Sequence, residues 1–187
     1  LLSLLNDVLD MSKLESGRME IEHIPFDLEE VLEKTRTLAE AQVADTDITY
    51  ISHLWQVRHT HLVGSPLHLR QILLNLFSNA VKYNKPHGSI ETQVRELPGA
   101  KEGEVLLSLR TADTGIGMSE EFVKNELFEP FTQERADART RYQGTGLGMS
   151  IVRELTERMG GTIEVESRVD EGTAFTVKLP FEIDTEA

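Results

Sequence analysis

The chain has 187 residues, 39% of them hydrophobic and 27% charged, an ordinary composition for a globular protein with one good core. Its net charge of −13 argues against a nucleic-acid partner, because binding to phosphate backbones needs clustered lysines and arginines. The absence of cysteine excludes disulfides and thiolate metal sites. The sequence shows neither an apolar run long enough to span a bilayer nor a signal peptide, and because it starts without Met we expect a piece of a longer protein.

The first segment, Leu1 to Glu15, has the pattern of an amphipathic helix that Gly17 ends. One apolar seam consists of Leu1, Leu4, Val8 and Met11, and an adjacent seam consists of Leu2, Leu5 and Leu9. A face this broad favours a place in a helical bundle whose other helices lie elsewhere. The alternative is a helix that packs on the chain's own core.

The following segments alternate between strand and helix patterns. Asp27, with Glu30 three residues later, resembles a capping box that begins a helix running to about Val43. Strands are predicted at Arg18–Phe26, Ile48–Leu54, His59–Val63, Ile90–Leu97 and Glu104–Ala112, with the last two forming a hairpin.

A helix is predicted from Pro66 to Asn84, with Ser65 as its cap. Its apolar stripe consists of Leu69, Ile72, Leu73, Leu76, Phe77 and Ala80.

A second set of residues recurs at three- and four-residue steps on this helix. It places Asn75, Asn79 and Lys82 within a narrow arc, with Tyr83 at its edge. An amide oxygen is a hard ligand for Mg²⁺, and an ammonium one turn away can meet a phosphate. The alternative is an ordinary amphipathic helix whose polar side carries two asparagines by chance.

The segment Asp113-Thr114-Gly115-Ile116-Gly117 directly follows a strand of buried type. Its carboxylate can accept a hydrogen bond from an exocyclic amine such as that of adenine, and glycine lets the main chain pass close to a flat ligand. A simple turn is the competing interpretation, because Asp-x-Gly is common turn chemistry.

A polar stretch from Glu129 to Gln143 is predicted to be a mobile loop that leads into Gly144-Thr145-Gly146-Leu147-Gly148 and a helix to about Met159. Glycines at a helix start expose N–H groups to an anion. The spacing is neither a Walker motif nor the dinucleotide fingerprint. Gly161–Ser167 and Thr173–Phe181 are predicted to form a closing hairpin.

Four motifs now stand in order: Asn75-x-x-x-Asn79-x-x-Lys82-Tyr83, Asp113-x-Gly115-x-Gly117, Phe128-x-x-Phe131 and Gly144-x-Gly146-x-Gly148. Together they resemble the N, G1, F and G2 boxes in the catalytic ATP-binding domain of sensor histidine kinases of two-component systems. That family shares its fold, the GHKL or Bergerat fold, with Hsp90, gyrase B and MutL. The resemblance covers about Arg18 to Phe181, and Leu1–Gly17 is similar to the end of the second helix of the family's dimerisation and histidine-phosphotransfer hairpin.

The resemblance implies an α/β two-layer sandwich, in which a mixed, mostly antiparallel sheet carries helices on one face and is preceded by one bundle helix. The covering helices would be Asp27–Val43, Pro66–Asn84 and Gly144–Met159. Residues 1–17 would be the remnant of the dimerisation hairpin, and residues 18–187 would be the catalytic ATP-binding domain.

The resemblance also implies roles in binding ATP and Mg²⁺. Asn79 would give its amide oxygen to Mg²⁺, Asn75 would lie beside the metal and the γ-phosphate, and Lys82 would meet phosphate oxygens. At the other end, Tyr83 would lie against the purine and Asp113 would hold the adenine amine. Gly115 and Gly117 would leave room for the ring, Thr173 would help at the adenine end, and Phe128 and Phe131 would seat a lid unless they are plain core residues. The lid over the phosphates would consist of Arg141, Gly144, Thr145, Gly146, Leu147 and Gly148.

The sequence lacks the family's phosphoacceptor context, because none of its six histidines stands in a Ser-His-Glu type helix. The six are taken as structural or surface residues: His23, His53, His59, His61, His68 and His87. The implied function is therefore a histidine protein kinase domain without its own acceptor. It would transfer the ATP γ-phosphate to a His on the dimerisation domain of a homodimeric parent, for relay to an Asp of a response regulator receiver domain. The resemblance places the domain in the cytoplasm, in a parent that is a membrane sensor.

Two alternatives remain open. The first is a non-catalytic nucleotide-binding or dimerisation module of the same fold, and the second is an anti-sigma-type serine kinase. Three positions depart from the family pattern without removing a ligand named above: Ser65 where an Asp is common, Thr111 in place of an apolar strand residue, and Gln143 in place of a glycine.

Overall fold

A computed structural model describes residues 2–53, 55–132 and 146–187. The helices are α1 (Leu2–Glu15), α2 (Leu28–Val43), α3 (Pro66–Lys82), α4 (Glu120–Asn125) and α5 (Gly148–Arg158). The strands are β1 (Ile24–Asp27), β2 (Thr49–Ser52), β3 (His61–Gly64), β4 (Ser89–Pro98), β5 (Glu104–Asp113), β6 (Thr162–Arg168) and β7 (Gly172–Ile183). The predictions for Arg141, Gly144 and Thr145 lie outside the described residues.

The seven strands form one sheet in the order β1-β3-β7-β5-β4-β2, with β6 pairing the first part of β7. The pairing of β2 with β4 is parallel and the other pairings are antiparallel, so the sheet is mixed and mostly antiparallel. The helices cover one face of the sheet, which confirms the predicted two-layer sandwich. The strands β4, β5 and β7 are the longest, and their buried apolar side chains belong to the same core clusters as those of the helices.

The strand predicted at Arg18–Phe26 is wrong over its first part, because β1 begins only at Ile24. The physical reason is the length of its neighbour: β1 pairs with β3, and the pairing starts at Ile24 opposite Gly64, the last residue of β3. Residues before Ile24 therefore have no strand to hydrogen-bond, and alternation of side chains alone does not make a strand.

Helix α2 begins as predicted after Asp27, whose carboxylate accepts the N–H of Glu29 at 2.9 Å. The reciprocal half of the expected capping box is wrong, because the Glu30 carboxylate pairs with the Lys34 ammonium one turn later at 2.6 Å. The short helix α4 was not predicted. Its signal was Ser119, which caps the helix by accepting the N–H of Phe122 at 3.2 Å.

Helix α1 divides into an exposed beginning and a packed end. Leu2 and Leu5 are 72% and 54% exposed, whereas Leu14 is only 1% exposed and belongs to the core. The Arg158 guanidinium of α5 donates to the Leu14 carbonyl at 2.5 Å, which ties the end of α1 to the sandwich. The end of α1 thus packs on the chain's own core, and a place in a helical bundle stays a prediction for its beginning. Over the part of the chain that the structure describes, no helix is long and apolar enough to cross a membrane.

Candidate functional site

Helix α3 presents the predicted polar arc while its apolar stripe enters the core. Leu69, Ile72 and Leu76 are fully buried, which fixes the rotation of the helix about its axis. The start of the helix is fixed by Ser65, whose hydroxyl accepts the N–H of His68 at 3.3 Å and contacts its imidazole at 2.6 Å. Burial lowers the pKa of this imidazole, against the opposing charges of Glu22 and Asp10.

Asn75 lies in the middle of α3, and its amide nitrogen Nδ2 is buried without a hydrogen-bond partner among the described residues. An unpaired buried amide costs roughly 1–3 kcal/mol, so such groups in folded proteins ordinarily have a function or a missing partner. One turn later, the Asn79 amide and the Lys82 ammonium make no side-chain hydrogen bond or ion pair with another described residue. These three groups are thus available to a ligand.

Asp113 is the last residue of β5 and lies opposite Ile90 of β4 and Thr173 of β7. Its Oδ1 accepts the N–H of Gly115 at 2.8 Å and the N–H of Thr173 at 3.3 Å. Both of these bonds go to one oxygen, so the second oxygen remains as an acceptor for a ligand amine. Burial raises the pKa of the Asp113 carboxyl to about 6, although the two N–H groups oppose this shift.

The end of α3 is bonded directly to the loop that follows Asp113. The Tyr83 carbonyl accepts the N–H of Ile116 at 2.9 Å, and the Ile116 carbonyl accepts the N–H of Asp170 from the turn between β6 and β7 at 2.7 Å. Burial raises the pKa of the Tyr83 phenol. The structure therefore brings Tyr83, Asp113 and Thr173 together from three elements that are distant in sequence.

The two glycines after Asp113 lie against protein backbone. A Cβ on Gly115 would stand 2.1 Å from the Tyr83 carbonyl oxygen, and a Cβ on Gly117 would stand 1.9 Å from the Arg168 carbonyl oxygen. Gly117 also has φ +64°, a conformation that other residues rarely adopt. Close packing of three chain segments thus requires both glycines, and their predicted role in leaving room for a ring stays a prediction.

The start of α5 forms the opposite end of the candidate site. Gly146 has φ +71°, its carbonyl accepts the N–H of Phe131 at 3.0 Å, and Leu147 beyond it is 1% exposed. No atom of the described residues lies within 4 Å of the Cβ position of Gly148, so the described part of the chain leaves the first turn of this helix open. The first N–H groups of a helix have no intrahelical acceptor, which makes such a turn suited to an anion.

The two predicted lid-seating aromatic residues differ in their surroundings. Phe128 is partly buried against the core, and the Arg153 guanidinium lies 5.4 Å from the centre of its ring. Phe131 is 67% exposed and has φ +63°.

Sequence reasoning missed a set of residues that hold the site together. Asn84 is 7% exposed, donates to the Ser89 carbonyl at 3.1 Å and accepts the N–H of Lys85 at 2.9 Å. The Lys85 ammonium donates to the Asp170 carbonyl, and the Ser167 hydroxyl accepts the N–H of Met118 at 2.9 Å. Asn84 and Lys85 directly follow the N motif, but their sequence carries no sign of the distant chain segments they contact.

Within residues 2–53, 55–132 and 146–187, no cluster of three His, Cys, Asp or Glu side chains could hold a metal ion. A metal at this site would therefore rely on the Asn79 and Asn75 amides together with oxygens of the ligand and water. Such a set suits Mg²⁺, which keeps several waters and is usually shared with substrate phosphates.

A family model described as histidine kinase-, DNA gyrase B- and HSP90-like ATPase matches residues 64–183, which contain α3, the Asp113 loop and α5. The chain is 37% identical over 179 residues to the sensor histidine kinase GacS of Pseudomonas protegens, covering 96% of this chain and 19% of that protein. It is 36% identical over 175 residues to the signal transduction histidine-protein kinase BarA of Escherichia coli, covering 94% of this chain and 19% of that protein.

Among solved structures, full-length ShkA in complex with AMPPNP superposes with a TM-score of 0.78 at 30% identity, covering 98% of this chain and 36% of that one. The chain thus spans about a fifth of the length of GacS and BarA. Since the family match covers most of the sandwich and both ends of the candidate site, the chain belongs to the family of histidine kinase-, DNA gyrase B- and HSP90-like ATPases.

Proposed function

We propose that this chain is the ATP-binding catalytic domain of a sensor histidine kinase. One observation carries the proposal. Along one side of α3, the Asn75 amide nitrogen, the Asn79 amide and the Lys82 ammonium have no partner among the described residues, and the end of this helix is bonded to the loop that follows the half-buried Asp113 carboxylate. The names of GacS and BarA, and the AMPPNP bound to ShkA, support the same assignment.

At the base end, the Asp113 carboxylate would accept a hydrogen bond from the adenine amine. Its Oδ1 already accepts two backbone N–H groups, so its orientation is fixed before ATP arrives and little is lost on binding. Tyr83 would lie against the purine, and Gly115, Gly117 and Thr173 would line this end.

At the phosphate end, Lys82 and the open N-terminal turn of α5 would bind phosphate oxygens. Mg²⁺, held by Asn79 with Asn75 beside it, would neutralise charge on the triphosphate. Asn75 and Lys82 are the residues proposed to be catalytic. The remaining proposed contacts are the lid residues Arg141, Gly144, Thr145, Gly146, Leu147 and Gly148.

The residue type at position 75 bears on the reaction. An amide cannot abstract a proton from water, so Asn75 disfavours the hydrolysis that a carboxylate there would promote. Phosphoryl transfer depends mainly on positioning and charge stabilisation, which amides, an ammonium and backbone N–H groups supply. We therefore propose transfer of the γ-phosphate to a protein histidine rather than to water.

The acceptor would lie on a dimerisation domain of the parent protein, of which residues 1–17 would be the end and residues 18–187 the catalytic domain. The exposed leucines at the start of α1 support this division, because they form an apolar surface without a partner among the described residues. The phosphoryl group would then pass to an Asp of a response regulator receiver domain. We expect the domain to lie in the cytoplasm, in a parent that senses at the membrane.

The site is tested by calorimetric titration of two variants. Asn79→Ala is expected to lose Mg²⁺-dependent nucleotide binding, and Asp113→Ala to weaken adenine nucleotides far more than inorganic triphosphate. Thr162→Ala, on the exposed side of β6, is the control and should bind like wild type. ATP binding by both site variants at wild-type strength would show that the site is misplaced.

The reaction is tested by incubating the full-length parent with ATP labelled at the γ-phosphate. An acid-labile label on a histidine supports the kinase proposal. An acid-stable label on a serine of a partner protein would instead support an anti-sigma-type kinase. The absence of any label, with ATP binding intact, would support a non-catalytic module.

A further inference from the structure

Ser167 lies near the end of β6, beside the base end of the site, and its hydroxyl has three hydrogen-bond partners. The Ser167 hydroxyl lies 2.9 Å from the Met118 nitrogen, 3.1 Å from the Gly172 carbonyl oxygen and 2.7 Å from the Thr173 hydroxyl. The first partner follows the Asp113 loop, and the other two begin β7. One hydroxyl thus joins both segments that surround the Asp113 carboxylate.

The direction of these bonds follows from the chemistry of the partners. A serine hydroxyl has one proton to donate and two lone pairs with which to accept. The Gly172 carbonyl can only accept, so the Ser167 proton goes there, and the Met118 N–H can only donate. In the arrangement that satisfies all three contacts, the Thr173 hydroxyl donates its own proton to Ser167.

This direction determines what Thr173 can offer to a ligand. Because its proton is used by Ser167, the Thr173 hydroxyl can only accept from any further partner. The Thr173 residue lies opposite Asp113 across the strand pair, and its N–H donates to Asp113 Oδ1. The base end thus carries a carboxylate and a hydroxyl that both act as acceptors.

We propose that Ser167 is a positioning residue that gives the base end its preference for an amino-substituted purine. This inference rests on the proposed ATP site. The one donor and two acceptor positions of its hydroxyl are already used, so Ser167 would act through Thr173. It fixes Thr173 as an acceptor and holds the segment that donates to Asp113. A 6-amino group would meet acceptors there, whereas a 6-oxo group would meet lone pairs and be rejected.

The test compares ATP with inosine 5′-triphosphate, which carries an oxygen in place of the amine and the same triphosphate. Binding of both to wild type, Ser167→Ala and Ser167→Thr is measured by calorimetry. Ser167→Ala should weaken the binding of ATP about five- to tenfold, the effect expected from losing one or two hydrogen bonds. It should leave the affinity for the inosine nucleotide unchanged or higher. Ser167→Thr keeps the hydroxyl and should restore the preference.

Thr162→Ala on the same strand is the matched control and should leave both affinities unchanged. Equal weakening of the two nucleotides by Ser167→Ala, or no weakening of either, would overturn the inference. Failure of the proposed function has a different signature. Wild-type protein would then bind neither nucleotide, whereas failure of this inference alone leaves ATP binding intact in wild type and dependent on Asp113.

Discussion

The two ends of the candidate site are built in opposite ways. At the base end, Asp113 receives two backbone N–H groups, and two glycines pack against carbonyl oxygens of other segments. At the phosphate end, the Asn75 amide nitrogen is buried without a described partner, and no described atom lies within 4 Å of the Cβ position of Gly148. Contacts within the protein thus complete the first end, whereas the second end keeps polar groups available to a ligand.

The division has a thermodynamic consequence. A preorganised base end loses little conformational freedom on binding, so its contacts contribute mainly to affinity and selectivity. An unfinished phosphate end already bears the cost of an unpaired amide in the free protein, and a ligand oxygen can relieve that cost. Substitutions that break the internal contacts of the first end should therefore also lower the stability of the free protein, whereas substitutions at the second end should affect ligand binding alone.

The largest effect is expected for Gly117→Ala. Gly117 combines φ +64° with a carbonyl oxygen 1.9 Å from the position of a Cβ, so the Asp113 loop and the β6–β7 turn must separate. We expect the free energy of unfolding to fall by at least about 3 kcal/mol. Chemical denaturation of the ligand-free protein measures this loss.

Gly103→Ala is the matched control, because Gly103 has φ +78° but no atom within 4 Å of its Cβ position. It should cost about 1–2 kcal/mol, the cost of the backbone conformation alone. Equal losses in the two variants would show that the close contact at Gly117 is not tight.

An intermediate effect, on binding alone, is expected for Asn75→Ala. This substitution removes no hydrogen bond of the described structure, and the relief of the unpaired amide offsets the lost side-chain packing, so the free energy of unfolding should change by less than about 1 kcal/mol. The affinity for ATP with Mg²⁺ should fall about tenfold or more, as for loss of a bond to a charged group. Denaturation and calorimetry measure the two quantities.

The control for Asn75 is Ser78→Ala on the same helix, whose hydroxyl donates to the Gln42 side chain at 3.2 Å in an exposed position. It should change neither quantity appreciably. A large loss of stability in Asn75→Ala, with affinity unchanged, would reverse the proposed roles of the two ends.

The smallest effect is a dependence on pH at the base end. The Asp113 pKa is raised from 3.8 to about 6, so in the free protein this carboxyl becomes protonated as the pH falls through 6. A protonated carboxyl accepts less well from an amine, so the ratio of ATP to inosine triphosphate affinity should fall severalfold between pH 7.5 and pH 5.5. The ratio cancels the titration of the triphosphate that both ligands share.

The same pKa gives the sign of an effect on stability. Between about pH 4 and pH 6 the native Asp113 binds more proton than the unfolded residue, so its contribution to stability falls as the pH rises through this window. Asp113→Asn should therefore raise the thermal midpoint of the free protein at pH 7.5 by a few degrees and remove the pH dependence of the affinity ratio. An unchanged ratio in wild type at pH 5.5 would contradict the raised pKa.

The sequence alone determined the features that depend on local periodicity. The apolar stripe of α3 fixes which side faces the core, and with it the arc of Asn75, Asn79 and Lys82. Ser65 and Pro66 predict where that helix begins, and the structure confirms both: Ser65 caps the helix and Pro66 lies in its first turn. A helix can be predicted in this way because its hydrogen bonds and its amphipathic face arise within a few residues of one another.

Tertiary structure decided the features that depend on pairing between distant segments. The strand predicted before Ile24 did not form there, because its only neighbour, β3, had ended at Gly64. The role of Ser167, which joins Met118 to Thr173, could not be predicted for the same reason. Its partners are 49 and 6 residues away in the sequence, and no local pattern indicates these contacts. The chemistry of the site could be predicted from residue types at helical spacing. Its base end, in contrast, depends on contacts between three segments that are distant in sequence, and the packing of the whole sandwich decides which segments come into contact.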